Sequence, residues 1–268
     1  MGKKYKVLGL TYYIWIGLFV LAPLALLAYQ SFFNIHGDLS LENYKKFFTS
    51  YTYIRMTLNS FWTAGLITLL TLVVAYPMAY ALTKTRNKDL WILLMILPTW
   101  TNLLLKAYAF IGLFSKKGVF FTWAQGLGLE SSLLFTRVGF IIVASYIELP
   151  FMVLAIFRAL EDIPRNYIIA AQDLGAGRFQ VFTRVILPLS MGGVIAGCQA
   201  VFIPSLSLFL ITRLIGGNKV ITLGTAVEQH YLITRNWGMG STLGLVLIGL
   251  MALIMGLTSL LRRKKDEK

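Results

Sequence analysis

Glu148 stands inside the apolar run from Arg137 to Ala159, about eleven residues from its start. On a helix rising 1.5 Å per residue that is about 16 Å along the axis. A carboxylate at such depth in a bilayer is costly unless it faces water or a cation, and intramembrane acids commonly mark transport paths. Trp100 and Asn102 fall at a similar depth in another apolar run, just after Pro98, and Tyr146 lies two residues before the acid. Aromatic rings beside a carboxylate suit an alkylammonium ion. A phosphate or sulfate path would instead want convergent Arg or Lys at mid-depth. Bond-making chemistry has no comparable set. His36 and His230 are far apart and read as surface residues, and Cys198 is a lone cysteine in an apolar run. No metal-ligand spacing and no G-x-x-x-x-G-K-[ST] phosphate loop occur, so neither an enzyme, a metal, a cofactor nor an ATP-binding subunit is expected.

A second stretch has the composition of a contact surface. Residues 161–188 read EDIPRNYIIAAQDLGAGRFQVFTRVILP, a polar interruption in an otherwise apolar half-chain. Pro164 suits the first turn of a helix, with Asp162 or Asn166 as cap. Tyr167, Ala170, Ala171 and Leu174 then recur at helical spacing and form a narrow apolar face whose alanines allow close approach. Gly175 can take the left-handed conformation that ends a helix. A second short helical run places Phe179, Phe182 and Val185 on one side, and Pro188 marks the next apolar span.

The elements that position these residues follow from hydropathy. The chain has 268 residues, of which 57% are hydrophobic and 13% charged, against the quarter or so charged in a soluble domain. Several apolar runs reach the roughly 18–25 residues a spanning helix needs. Strand patterns are weak, so the fold class is all-α with six transmembrane helices. Spans are expected near 7–33, 58–83, from Leu90 past Pro98, 137–159, 187–211 and 239–261. The first is too long for a signal-peptide core. Residues 34–57 are expected to hold an interfacial helix, and 115–136, with Gly118, Gly126 and Gly128, a short outer re-entrant or interfacial segment. Gly192, Gly193 and Gly197 allow close helix contact in the fifth span.

The net charge of +14 invites a nucleic-acid reading, but its placement argues membrane topology. Lys3, Lys4 and Lys6, then Lys84, Arg86 and Lys88, then Arg158, Arg165, Arg178 and Arg184, then Arg262, Arg263, Lys264, Lys265 and Lys268 bracket alternate connections. The positive-inside rule puts these in the cytoplasm together with both termini. The expected division is a first helix with its outer segment, 1–57; a membrane core, 58–261, holding the loop 161–188; and a basic tail, 262–268.

The loop resembles the cytoplasmic coupling loop of bacterial ABC importer permeases, whose pattern is Glu-Ala-Ala, three residues, Gly, nine residues, Ile, one residue, Leu-Pro. Ala170, Ala171, Gly175, Val185, Leu187 and Pro188 fall on that spacing. Ile169 replaces the glutamate, and Asp173, one turn later, can supply that charge. The resemblance implies a type I importer fold in which Tyr167, Ala170, Ala171, Asp173, Leu174 and Gly175 meet the ATPase.

Leu97 to Asn102, Phe114 to Gly118, Glu148 to Phe151 and Leu210 to Gly217 are further similar to the spermidine/putrescine branch of these permeases. That implies a polyamine importer in the bacterial inner membrane. Its partners would be a second related permease, two copies of a cytoplasmic ATPase and an extracytoplasmic polyamine-binding protein. Related importers of iron, thiamine, sulfate or phosphonates share the architecture. A channel or secondary transporter working alone would explain the spans and the buried acid, but not the spacing of the loop.

Overall fold

A computed structural model of the chain describes residues 11–116, 118–126, 133–217 and 219–266. Lys3, Lys4, Lys6, Lys117, Gly128, Asn218 and Lys268 lie outside the described residues. The described residues are helical, with one isolated bridge between Phe33 and Leu39. Five helices are long and apolar enough to cross a membrane: α1 (Thr11–Ser31), α3 (Tyr51–Lys84), α7 (Arg137–Glu161), α9 (Arg178–Ser205) and α12 (Trp237–Asp266).

The third expected span is broken. α4 (Lys88–Ile96) tightens into a 3-10 turn, Leu97–Trp100; α5 (Leu103–Phe114) follows, and the segment Leu103–Thr122 runs at 94° to Lys88–Trp100. Pro98 cannot donate a backbone bond, and the Asn102 side chain accepts from Leu104 N–H at 2.8 Å to start α5 afresh. The expected kink is thus a corner. The shorter helices are α2 (Glu42–Thr49), α6 (Val119–Gln125), α8 (Arg165–Asp173), α10 (Phe209–Gly216) and α11 (Leu223–Glu228).

Two other boundaries differ from expectation. α3 starts at Tyr51, seven residues before Leu58, because Ser50 is the only break after α2. The fifth span starts at Arg178 rather than Leu187 and ends at Ser205, with α10 following as a separate helix. A π-helical turn, Phe182–Ile186, directly precedes Pro188, so the missing donor is absorbed without ending the helix.

The chain divides into two compact units. One joins the residues up to Thr57 to Leu223–Leu253; the other joins Leu58–Thr222 to the residues from Ile254. In the first, Asn43 ties α2 to the end of α1 by donating to the Phe33 carbonyl at 2.8 Å. Thr242 of α12 donates to the Ser31 carbonyl at 3.2 Å. His230 is half-buried rather than a surface residue, with Nε2 at 3.0 Å from the Tyr53 hydroxyl. Burial, and secondarily the charge of Lys46, hold its imidazole below the ordinary histidine range.

The second unit is built around α7. Phe140, Val143, Ala144, Met152, Val153 and Ile156 are fully enclosed. Against them α3 sets a stripe of small and β-branched residues, Ala64, Ile67, Thr71, Ala75 and Ala79, at helical spacing. Thr68 and Thr71 return their hydroxyls to the Ala64 and Ile67 carbonyls at 2.8 and 2.7 Å, which removes unpaired polar groups from an apolar setting. On the other side α9 meets α7 through Gly193 and Gly197. A Cβ on Gly193 would collide with Ala159 and sit 2.7 Å from the Ala155 carbonyl oxygen; on Gly197 it would sit 2.7 Å from the Met152 sulfur. Small residues four apart let two backbones approach in this way.

Candidate functional site

Two places in the second unit hold the residues singled out by sequence. The first is α8 and its exit. Pro164, at the N-cap in extended backbone, starts the helix; neither Asp162 nor Asn166 caps it. Its end is a complete Schellman motif: Gly175 has φ +82°, its N–H bonds to the Gln172 carbonyl at 2.8 Å, and Ala176 N–H bonds to the Ala171 carbonyl at 3.0 Å. Gln180 Oε1 then accepts Gly177 N–H at 3.0 Å and opens α9.

The two sides of α8 are unlike. Ile168 and Ala171 pack against the core, as does Ala176 after the turn. Tyr167, Ala170 and Leu174 line the outward side, and Leu174 is 89% exposed. Asp173 is exposed beside them. Of the expected face, then, Ala171 alone turns inward. Phe179, at the start of α9, adds a ring that is 77% exposed, while Phe182 packs edge-on against Tyr76 and Tyr80. Sequence spacing grouped the two phenylalanines; only the tertiary packing separates them. Tyr167, Leu174 and Phe179 thus leave large apolar side chains exposed on this side.

The second place surrounds the middle of α7. A cavity of about 490 Å³ opens between α3, the broken span and α7. It is lined mainly by apolar side chains such as Met78, Leu82, Trp91 and Met95, with Tyr146 and Lys106 as its functional groups. Tyr146 is half-exposed and stands edge-on to Phe110 at 5.1 Å. Glu148 is 5% exposed, and its neighbours Ile147, Leu149 and Pro150 line the cavity together with Lys106. Tyr146, Glu148 and Lys106 are therefore one group.

Trp100 and Asn102 do not join it. Trp100 is 75% exposed, so the interior position expected from its polar neighbours is not found within this chain. Asn102 spends its side chain as the cap of α5. Lys106, in the first turn of α5, lines the cavity in their stead. Among the described residues no group of three or more His, Cys, Asp or Glu side chains could hold a metal ion.

The unit thus holds a sealed carboxylate beside a largely apolar cavity, and a helix with an outward apolar side. Comparison with known proteins agrees. The family model described as "binding-protein-dependent transport system inner membrane component" matches residues 42–267. The spermidine/putrescine transport system permease protein PotB of Haemophilus influenzae is 36% identical over 95% of this chain and 92% of its own. Its Escherichia coli counterpart is 34% identical over 94% and 97%. Among solved structures, a chain of a bacterial alginate ABC transporter crystallised with an alginate-bound periplasmic protein superposes with a TM-score of 0.82. It covers 97% of this chain and 94% of that one, and at 18% identity it speaks to the fold. The chain belongs to the binding-protein-dependent transport system inner membrane component family, and is a multi-pass inner-membrane permease subunit of an ABC importer rather than an enzyme.

Proposed function

We propose that this permease carries polyamines, spermidine and putrescine, inward across the membrane. The observation that carries the reading is similarity along nearly the whole chain to permeases named for those substrates. The Tyr146–Glu148–Lys106 group supports it chemically. A buried carboxylate on the wall of a cavity that also holds a lysine is a place where a substrate ammonium can be balanced, and the Tyr146 ring offers a face to the alkyl chain. Glu148 is then the acid of the substrate path. Trp100, exposed on this chain, belongs with Asn102 to the wall turned toward the second permease. No phosphate- or sulfate-type constellation of convergent cations accompanies Lys106 in that cavity.

Coupling to ATP runs through α8. Tyr167, Ala170 and Leu174 seat in a groove of the cytoplasmic ATPase, Asp173 supplies the charge that Ile169 does not, and Gly175 fixes the exit of the helix. The core-facing Ile168 and Ala171 transmit its movement to α7 and α9 as a rigid shift. Both termini and the 161–188 loop lie in the cytoplasm. The working complex holds a second related permease, an ATPase pair and an extracytoplasmic polyamine-binding protein.

Uptake of labelled spermidine by vesicles carrying the full complex tests the substrate, with choline, sulfate and thiamine as competitors. The reading expects ATP-dependent accumulation that unlabelled putrescine competes away and the other three do not. Accumulation of sulfate or thiamine in place of spermidine would overturn it. A cysteine placed at Gln172 should stay unlabelled by an impermeant thiol reagent added outside, and labelling there would reverse the orientation.

A further inference from the structure

Basic residues at the ends of spans ordinarily fan out into solvent. Here four of them converge. A second cavity in the same unit, about 670 Å³, is lined by Lys84, Lys88, Arg165 and Arg178. They come from four elements: the last residue of α3, and the first residues of α4, α8 and α9. The single acid in the lining is Glu161 at the end of α7, which pairs with Lys88. Lys84 rests over the Tyr80 ring at 4.2 Å, a contact that holds its position without neutralising it. Three positive charges are thus left over in one concavity.

The rest of the lining decides what kind of anion fits. Leu160, Ile163, Val181 and Ile186 give the cavity an apolar wall next to its cations, at the level where α3 and α7 end and α9 begins. A small soluble anion gains nothing from such a wall. A phospholipid presents a phosphate and an acyl chain side by side at that depth, and basic pockets between spans take anionic head groups.

We propose that this cavity binds the head group of an anionic phospholipid, the phosphate lying among Lys84, Arg165 and Arg178 and the first acyl carbons against Ile163 and Ile186. Gln172 and Ile168 of α8 line the same cavity on the side away from Leu174. The lipid therefore lies behind the docking helix, bridging it to α3 and α9. Glu161 is the internal rival of the lipid, because its carboxylate holds Lys88.

Binding of fluorescent phosphatidylglycerol to the intact transporter, held in nanodiscs of neutral phosphatidylcholine, tests this. The Arg165→Gln/Arg178→Gln pair should weaken binding on the order of 20-fold, from the contribution typical of a basic side chain at an anionic membrane surface. Arg165→Lys/Arg178→Lys should bind nearly as the parent does, which separates lost charge from lost folding. Glu161→Gln should bind several-fold more tightly, the opposite of what a purely structural ion pair would give. Unchanged affinity in the glutamine pair, or weaker binding in Glu161→Gln, would overturn the proposal. So would displacement of the lipid by millimolar inorganic phosphate, since a free-phosphate site does not need the apolar wall.

Discussion

The outward side of α8 and the middle of α7 break the rule of apolar inside and polar outside in opposite directions. Leu174 is an aliphatic side chain left 89% exposed; Glu148 is a carboxylate only 5% exposed. Each arrangement is unfavourable in the chain taken alone. An exposed leucine on a polar connector awaits a partner surface. A sealed acid awaits a counter-charge, and Lys106 lines the cavity that the neighbours of Glu148 also line. The two share one core, because Ala171 and Ile168 pack into the same cluster as the enclosed face of α7. What differs is the test each would fail. The helix should be dispensable for folding and essential for docking; the acid should be dispensable for docking and essential for transport.

That contrast requires α7 and α9 to form a rigid frame, so the largest expected effect is on the frame itself. Gly193→Leu drives a side chain into Ala159 and the Ala155 carbonyl. Overpacking of this sort costs about 1–3 kcal/mol, and here the obstacle is partly backbone. Loss of the monodisperse detergent-solubilised protein is expected, read by fluorescence-detected size exclusion. Gly192→Leu is its control, since a Cβ there meets nothing within 4 Å. Equal behaviour of the two would dissolve the frame.

A smaller effect is expected at the hinge between the docking helix and α9. Gly175→Val meets no neighbour, so its penalty is the positive φ alone, roughly 1 kcal/mol or more. The variant should insert and fold, yet lose a large part of its ATPase association. Full association would mean that the left-handed exit of α8 does not set its docking angle.

The smallest effect lies away from both regions and shows that the first unit can be perturbed separately. The folded chain holds His230 below the ordinary value of 6.5, mainly through burial. An unfolded chain binds the proton first as pH falls, so stability drops as pH passes down from 6.5 toward the lowered folded value, and levels off below it. His230→Gln should remove that part of the slope in thermal unfolding between pH 7 and 5, with transport at pH 7 nearly unchanged. An identical slope would place the titration elsewhere.

Much of the docking region was legible in the sequence because its signals are local. The spacing of Tyr167, Ala170 and Leu174 and the glycine at position 175 determine a helix, its exposed side and its end with no distant contact required. The inward turn of Ala171 was not legible, since two alanines a residue apart carry no polarity to tell the sides apart. The region of Glu148 was legible as a depth and not as a neighbourhood. Pro98 announces a lost backbone bond, but whether the helix kinks or turns a corner depends on Asn102 capping the next helix. That corner removes Trp100 from the group and brings Lys106 into it. Likewise Pro188 read as a boundary, and a π turn before it carries the helix through. Convergence of Lys84, Lys88, Arg165 and Arg178 joins residues up to 94 positions apart and leaves no trace in any local pattern.

Co-purification of the ATPase subunit with Leu174→Asp and with Glu148→Gln, scored beside spermidine uptake in the same vesicles, tests the division of labour most directly. Leu174→Asp, a surface change on an exposed residue, should leave permease stability within about 0.5 kcal/mol and cut ATPase recovery at least tenfold, uptake falling with it. Glu148→Gln keeps the shape and removes the charge; ATPase recovery should match the parent while spermidine uptake falls at least tenfold. Normal ATPase recovery with Leu174→Asp, or loss of the ATPase with Glu148→Gln, would contradict the account.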